Sequence, residues 1–119
     1  MAVVWKAIEC IQPRIVIIET HVEFGSNNVI VPYDPDYCHP GKHPHYFGAS
    51  PTAMINLGRA KGYRLVGTNL YGFNFIYVRD GDGEQQVPEI SLKEALAHPR
   101  NAERARLFEE IRTWKYEKG

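Results

Sequence analysis

The chain has 119 residues, 44% of them apolar, and its 14 basic and 14 acidic side chains give a formal net charge of zero. This length fits one domain spanning residues 1–119, with enough chain to bury a single core. The apolar content excludes an intrinsically disordered protein, and the neutral balance argues against a nucleic-acid binder that works through a broad basic field.

The sequence predicts a helix and a strand in its first part. Apolar residues at helical spacing predict a helix over about residues 2–11, which Pro13 ends. A β-branched run then predicts a strand over about 14–19, and its lack of alternation is typical of a strand covered on both faces. Residues 28–31 form either a short strand or an extended loop, and 32–48 form a long irregular loop.

A helix and a hairpin are predicted next. Ser50 and Pro51 are typical of a helix start, so we expect a helix over about 51–61. Alternating residues predict strands over about 63–68 and 73–78, which the turn between them joins as an antiparallel hairpin.

Two further helices complete the predicted elements. Ser91 and Glu94 have capping-box spacing, which predicts a helix over about 92–97. Asn101 is expected to cap a last helix over about 102–116, whose apolar stripe packs on the sheet or, as the alternative, forms a partner surface.

This order of elements predicts an α/β fold with a small three-stranded mixed sheet. The return strand of the hairpin inserts between the two parallel strands, which gives the order first, third, second. The first strand then lies at an edge, yet its residues 15–18 carry none of the charges or prolines that protect an edge. We therefore expect the edge strand 14–19 to pair either with another copy of this chain, which would give a homo-oligomer, or with a different partner chain.

The cysteines and the N-terminal segment indicate in which cellular compartment the protein is expected. No run approaches the roughly 20 apolar residues that span a bilayer, so no membrane partner is expected. Residues 1–6 lack the basic region of a secretory signal. Cys10 and Cys38 are the only cysteines, and two thiols without a targeting segment indicate a reducing, cytoplasmic setting. Cys10 itself is expected to be a small buried apolar residue.

Several short segments occur in an order that resembles a known enzyme family. The segments are Trp5-Lys6-Ala7-Ile8, Pro13-Arg14-Ile15-Val16-Ile17-Ile18-Glu19, Phe24-Gly25, Val31-Pro32-Tyr33-Asp34-Pro35, Tyr46-Phe47-Gly48-Ala49-Ser50, Leu57-Gly58, Lys61-Gly62-Tyr63-Arg64-Leu65-Val66-Gly67 and Gly72-x-Asn74-x-x-x-Val78-Arg79. Over about residues 3–80 they resemble the C-terminal portion of FkbM-type S-adenosylmethionine-dependent methyltransferases. The resemblance implies that the three predicted strands correspond to the fifth, sixth and seventh strands of a Rossmann-like methyltransferase sheet.

The cofactor-binding half of that family precedes the part that this chain resembles. It carries a glycine-rich turn between a strand and a helix, where the backbone approaches the cofactor closely. None of the ten glycines here forms such a turn, so the resemblance implies no cofactor-binding residue in this chain. We expect S-adenosylmethionine to bind only if a partner supplies the missing half, and a micromolar titration signal with the chain alone would overturn that expectation.

Polar residues that follow the first strand are candidate site residues, because ligand sites of α/β sheets collect at the carboxyl ends of parallel strands. The candidate catalytic residues are Glu19, His21 and Asp34, and the candidate ligand-binding residues are Tyr33, Tyr46 and Asn74. A Glu19–His21 or a His21–Glu23 pair suits general acid–base chemistry, since alternate residues of a strand share one face. The alternative is a set of polar residues that merely leave the core.

The irregular loop carries a candidate metal site. Its ligands would be Cys38, His39, His43 and His45, since thiolate and imidazole bind zinc. Their spacing matches no standard zinc template, and the alternative is an exposed loop whose histidines only titrate.

Three functions therefore remain open. The first is a methyltransferase-like domain without a cofactor motif, which acts as a non-catalytic ligand-binding or assembly module and forms an oligomer. The second is half of a split methyltransferase that a partner chain completes. The third is a small metal-binding or acid–base enzyme that uses the loop histidines.

Overall fold

A three-stranded sheet forms the centre of the fold in the computed structural model, which describes residues 2–119. The strands are β1 (Ile15–Glu19), β2 (Tyr63–Thr68) and β3 (Asn74–Arg79). The helices are α1 (Ala2–Ala7), α2 (Pro51–Ala60), α3 (Leu92–Ala95) and α4 (Arg100–Glu109), and a 3-10 turn spans Val22–Phe24. Within residues 2–119, no helix is long and apolar enough to cross a membrane.

The strand order is β1–β3–β2, as the sequence predicts, and the β2–β3 hairpin is confirmed. The description of the sheet as mixed is wrong, because both hydrogen-bonded pairs are antiparallel. β1 and β2 do run in the same direction, but β3 separates them, so no parallel pair forms.

β1 is an edge strand with one buried face and one exposed face. Ile18 is only 6% exposed and lies in the core, whereas Ile15 and Ile17 are 57% and 64% exposed. The expectation of cover on both faces is therefore wrong for this chain. Side chains of a strand alternate between faces, and only the face of Val16 and Ile18 turns toward the helices.

Trp5 fixes α1 over the core. Its ring lies 5.0 Å from the ring of Tyr77 and 5.7 Å from that of Tyr63, and both tyrosines are buried. The tip of the indole also contacts α2 at Gly58, where a Cβ would lie 3.0 Å from it.

The predicted extension of the first helix to residue 11 is wrong, since α1 ends at Ala7. Lys61 Nζ donates to the carbonyl oxygen of Ile8 at 2.7 Å, just beyond the helix end. The following segment crosses the surface, and Cys10 is exposed rather than buried. Helical spacing alone did not reveal that Ile11 has no core to face, and its side chain is 60% exposed.

Local capping signals are confirmed in α2 and α3. Ser50 Oγ accepts from the backbone N–H of Ala53 at 3.2 Å. Gly62 follows α2 with a φ of +85°, a conformation that glycine adopts without strain. Ser91 and Glu94 form the expected capping box at α3, although that helix ends at Ala95 rather than at residue 97.

The last helix differs from the prediction in its cap, its length and its packing. α4 begins at Arg100, so Asn101 is not the cap; it is buried and its Nδ2 donates to the carbonyl oxygen of Leu96. The helix ends at Glu109 instead of residue 116. Glu117 instead pairs with Ile30, which settles residues 28–31 as an extended loop with an isolated bridge.

The apolar stripe of the C-terminal region packs on the 3-10 turn rather than on the sheet. Phe108 and Ile111 are buried against Phe24, whose ring is fully buried and lies 5.4 Å from the Phe108 ring. This second apolar cluster fixes the turn that follows β1, and therefore the residues at the end of that strand.

Arg64 fastens the loop after β3 to the sheet. Its buried guanidinium donates to the carbonyl oxygens of Arg79, Asp82 and Val87 at 2.6–3.1 Å. Because a buried cation needs partners for every donor, the loop oxygens converge on this one side chain.

Candidate functional site

A cleft of about 820 Å³ opens at the end of β1, between α1 and the loop of residues 30–48. Six of the residues singled out from the sequence line it: Glu19, His21, Tyr33, Asp34, Cys38 and Tyr46. Its volume lies within the roughly 300–1,000 Å³ that is typical of small-molecule sites.

His21, which lines the cleft, forms a pair with Glu23, which lies outside the lining. His21 Nδ1 lies 3.0 Å from Glu23 Oε1, and both side chains are nearly buried. Of the two pairs that the sequence left open, the structure forms His21–Glu23. The predicted reason, that alternate residues of a strand share one face, is wrong. β1 ends at Glu19, and the 3-10 turn brings the two side chains together.

The Glu23 carboxylate also faces a second histidine. His45 Nδ1, on the irregular loop, lies 3.5 Å from the same Oε1 atom. Burial alone would raise the pKa of Glu23, but the hydrogen bond with His21 and the charges of His21 and His45 outweigh it. The pKa of Glu23 is therefore lower than its usual value, so its carboxylate is ionised at neutral pH.

Aromatic rings and a glycine hold the imidazole of His21 in place. The ring of Phe47 contacts it edge-on at 4.3 Å, and the ring of Phe24 stacks at 5.9 Å. Gly48 has a φ of +80°, and a Cβ there would lie 2.6 Å from His21 Nε2. A glycine at position 48 is thus needed both for the backbone and for the space that the imidazole occupies.

The contact with Glu23 determines which nitrogen of His21 is left as a hydrogen-bond acceptor. Because the Glu23 carboxylate accepts at Nδ1, a neutral ring carries its proton on Nδ1 and leaves Nε2 as an acceptor. Within residues 2–119, the hydrogen bonds of this imidazole involve Nδ1 alone. His21 therefore presents a free acceptor within the lining of the cleft.

The remaining lining combines an apolar wall with charges of both signs. The larger apolar side chains are Val3, Val4, Ile30, Val31, Phe47 and Met54, and the charged ones are Glu19, Asp34, Asp36, Lys42 and Lys115. Asp34 Oδ1 is partly occupied, since it accepts from the backbone N–H of Asp36 at 2.9 Å. Such a lining suits a ligand with an apolar body and a few polar groups.

The three candidate ligand-binding residues differ in their positions. Tyr33 lines the cleft and is 72% exposed, so it is free to contact a ligand. Tyr46 also lines it, but its hydroxyl donates to the carbonyl oxygen of Lys115, and burial raises its pKa. Asn74 lies opposite Glu19 in the sheet and is outside the lining of the cleft.

The structure does not bring the predicted metal ligands together. His43 Nε2 pairs with Glu110 at 2.7 Å, His45 faces Glu23, and His39 Nδ1 contacts the Tyr37 hydroxyl at 3.3 Å. Cys38 is exposed in the cleft wall. Across residues 2–119, no group of three or more His, Cys, Asp or Glu side chains is arranged to hold a metal ion.

Sequence reasoning missed several residues of this site. Phe47 and Gly48 position His21, and Asp36 and Lys42 add charge to the cleft. Two signals were available in the sequence: the spacing His21-x-Glu23, and a glycine that follows an aromatic residue at Phe47-Gly48. Neither signal shows that these residues contact one another until the fold is known.

No protein-family model, curated protein or solved structure matches this chain. The resemblance to FkbM-type methyltransferases thus remains a prediction that depends on the segments quoted above. The geometry of the cleft is the stronger basis for a function.

Proposed function

We propose that this chain is a small-molecule-binding domain whose ligand lies in the cleft beside His21. One observation carries the proposal: a cleft of about 820 Å³ gathers six residues that the sequence had singled out as candidate site residues or metal ligands. His21, held by Glu23, adds a fixed polar group to a lining that combines apolar side chains with a few charged ones, and this combination is typical of ligand sites.

The lining defines the class of ligand. An apolar body would contact Val31 and Phe47, and a hydroxyl or N–H group would donate to His21 Nε2. The acidic and basic side chains nearly balance, so the ligand is not selected by a large net charge.

The resemblance suggests a place for this domain within a larger reaction. It would be the acceptor-binding side of a methyltransferase-like fold, without catalysis of its own. The strand order β1–β3–β2 supports this assignment, because the resemblance implies that order. On this account the chain alone does not bind S-adenosylmethionine.

A fragment screen tests the binding proposal. Amide spectra of the ¹⁵N-labelled chain would be recorded with small aromatic alcohols, amines and carboxylates. Val3→Trp should block binding, because Val3 lines the cleft and is half-exposed, so that the larger ring fills the cleft without entering the core. Ile11→Trp is the matched control, since Ile11 is exposed and lies outside the lining.

We expect at least one fragment to shift the amides of Gly48 and Val31 in the wild type and in Ile11→Trp, but not in Val3→Trp. Fragments that leave these amides unchanged, or that shift them equally in Val3→Trp, would rule the proposal out.

The His21–Glu23 contact favours a second candidate, which is general acid–base chemistry. A neutral His21 would accept a proton at Nε2 from a ligand hydroxyl, and the Glu23 carboxylate would stabilise the imidazolium that forms. In the split-methyltransferase version, S-adenosylmethionine arrives with a partner chain. The variant His21→Gln distinguishes the two candidates. If the chain is part of an enzyme, this variant should lower turnover by about a hundredfold or more while ligand binding is retained.

A further inference from the structure

We propose that β1 pairs with β1 of a second copy of this chain, antiparallel and centred on Ile17. This inference concerns the sheet edge and does not depend on a ligand in the cleft. It would join two three-stranded sheets into one six-stranded sheet.

The backbone hydrogen bonds of β1 identify which groups face the open edge. Arg79 N–H donates to the carbonyl oxygen of Arg14, and Thr20 N–H donates to that of Phe73. Even-numbered residues of β1 therefore turn their backbone groups toward β3. Because the direction alternates along a strand, the odd-numbered residues Ile15, Ile17 and Glu19 turn theirs to the open edge.

A register centred on Ile17 satisfies all of these edge groups. It places Ile17 opposite its own copy and Ile15 opposite Glu19 of the second copy. Pairs of this kind exchange both hydrogen bonds, so three donors from each copy make about six bonds in all. A register centred on Val16 is worse, because it places Glu19 opposite Pro13, which has no N–H to donate.

Charge and apolar exposure favour the same arrangement. An antiparallel pair keeps the two Glu19 side chains apart, and likewise the two Arg14 side chains, whereas an in-register parallel pair would bring these like charges together. The exposed side chain of Ile17 meets its own copy across the two-fold axis. The formal net charge of zero adds no repulsion between copies.

The dimer is expected to be weak. A five-residue strand pair buries less than the roughly 1,600 Å² of a standard protein interface, so its dissociation constant should lie in the micromolar range or above. Sedimentation velocity over about a hundredfold range of protein concentration can measure a dissociation constant of this size.

Two variants of one residue separate backbone pairing from side-chain packing. Ile17→Pro removes an N–H that faces the edge, where proline is tolerated within a sheet. It should raise the dissociation constant at least tenfold, since about two hydrogen bonds are lost per dimer. Ile17→Thr keeps the N–H and the β-branched shape, so it should change the constant by less than about threefold.

A wild type that stays monomeric at every concentration, or that forms open-ended aggregates instead of dimers, would overturn the proposal. So would a dimer that survives Ile17→Pro and is lost in Ile17→Thr, since that pattern indicates packing of the exposed faces. If Ile17→Pro fails to fold, amide exchange of the wild type decides: protection at Ile15, Ile17 and Glu19 must rise with protein concentration, and constant protection would contradict the pairing.

Discussion

The imidazole Nδ1 of His21 lies 3.0 Å from the carboxylate oxygen Oε1 of Glu23, and both side chains are nearly buried. The contact exists because the chain leaves β1 and turns at once through Val22–Phe24. It fixes one nitrogen of the ring and leaves the other as an acceptor in a residue that lines the cleft.

The first prediction concerns the buried pair. Glu23→Gln should lower the free energy of unfolding by about 1–3 kcal/mol, because a charge-assisted hydrogen bond in a nearly buried site is weakened. Glu110→Gln is the control: it alters the His43–Glu110 pair, whose carboxylate is exposed, and should cost less than about 1 kcal/mol. Urea unfolding at neutral pH measures both, and equal losses would contradict a special role for Glu23.

The second prediction concerns acid. The pKa of Glu23 is lower in the folded chain than its ordinary value of 4.5, because its histidine partners outweigh its burial. Its contribution to stability is therefore fully present above about pH 4.5 and is lost as the pH falls through the folded pKa. The free energy of unfolding should fall less steeply below pH 4.5 in Glu23→Gln than in the wild type, and parallel curves would contradict the assignment.

The third prediction compares two glycines. Gly48 and Gly81 both have positive φ, but a Cβ meets the His21 ring at Gly48 and open space at Gly81. Gly81→Ala should cost about 1 kcal/mol from backbone strain alone, whereas Gly48→Ala should cost about 1–3 kcal/mol more, because it displaces a buried ring. Thermal unfolding measures the difference, and equal losses would mean that the imidazole moves aside freely.

The fourth prediction concerns the loop after β3. Arg64→Met should destabilise the chain by about 2–4 kcal/mol, since the carbonyl oxygens of Arg79 at the end of β3 and of Asp82 and Val87 in the loop lose the donors of a buried guanidinium. Arg59→Met is the control, because Arg59 forms an exposed pair with Glu89 and should contribute less than about 1 kcal/mol. Arg64→Met should also speed amide exchange in residues 80–88, and unchanged exchange there would contradict this role.

Elements with a local chemical signal were predictable from the sequence. Ser50 and Ser91 mark helix starts through capping, and Gly62 marks a helix end through its backbone freedom. The hairpin, and the insertion of its return strand β3 between β1 and β2, followed from chain order and handedness rules.

Features that depend on tertiary packing were not predictable in this way. Ile11 has helical spacing but no core to face, and Asn101 has the chemistry of a cap but lies buried in the first turn of α4. In the site, Glu19 and His21 were predictable from their position at the end of a strand and just after it. The role of Gly48 did not, since it depends on a ring 27 residues away in the chain that only the fold brings near.

The imidazole nitrogens of His21 offer the most direct test of the binding cleft. Long-range ¹H–¹⁵N spectra distinguish a protonated Nδ1 from a free Nε2 and report contacts at each. For the neutral ring we predict the proton on Nδ1, and we predict a change in the Nε2 shift when a hydroxyl-bearing fragment binds. A neutral ring with its proton on Nε2, or an Nε2 shift that stays constant while a fragment binds, would contradict the proposed site.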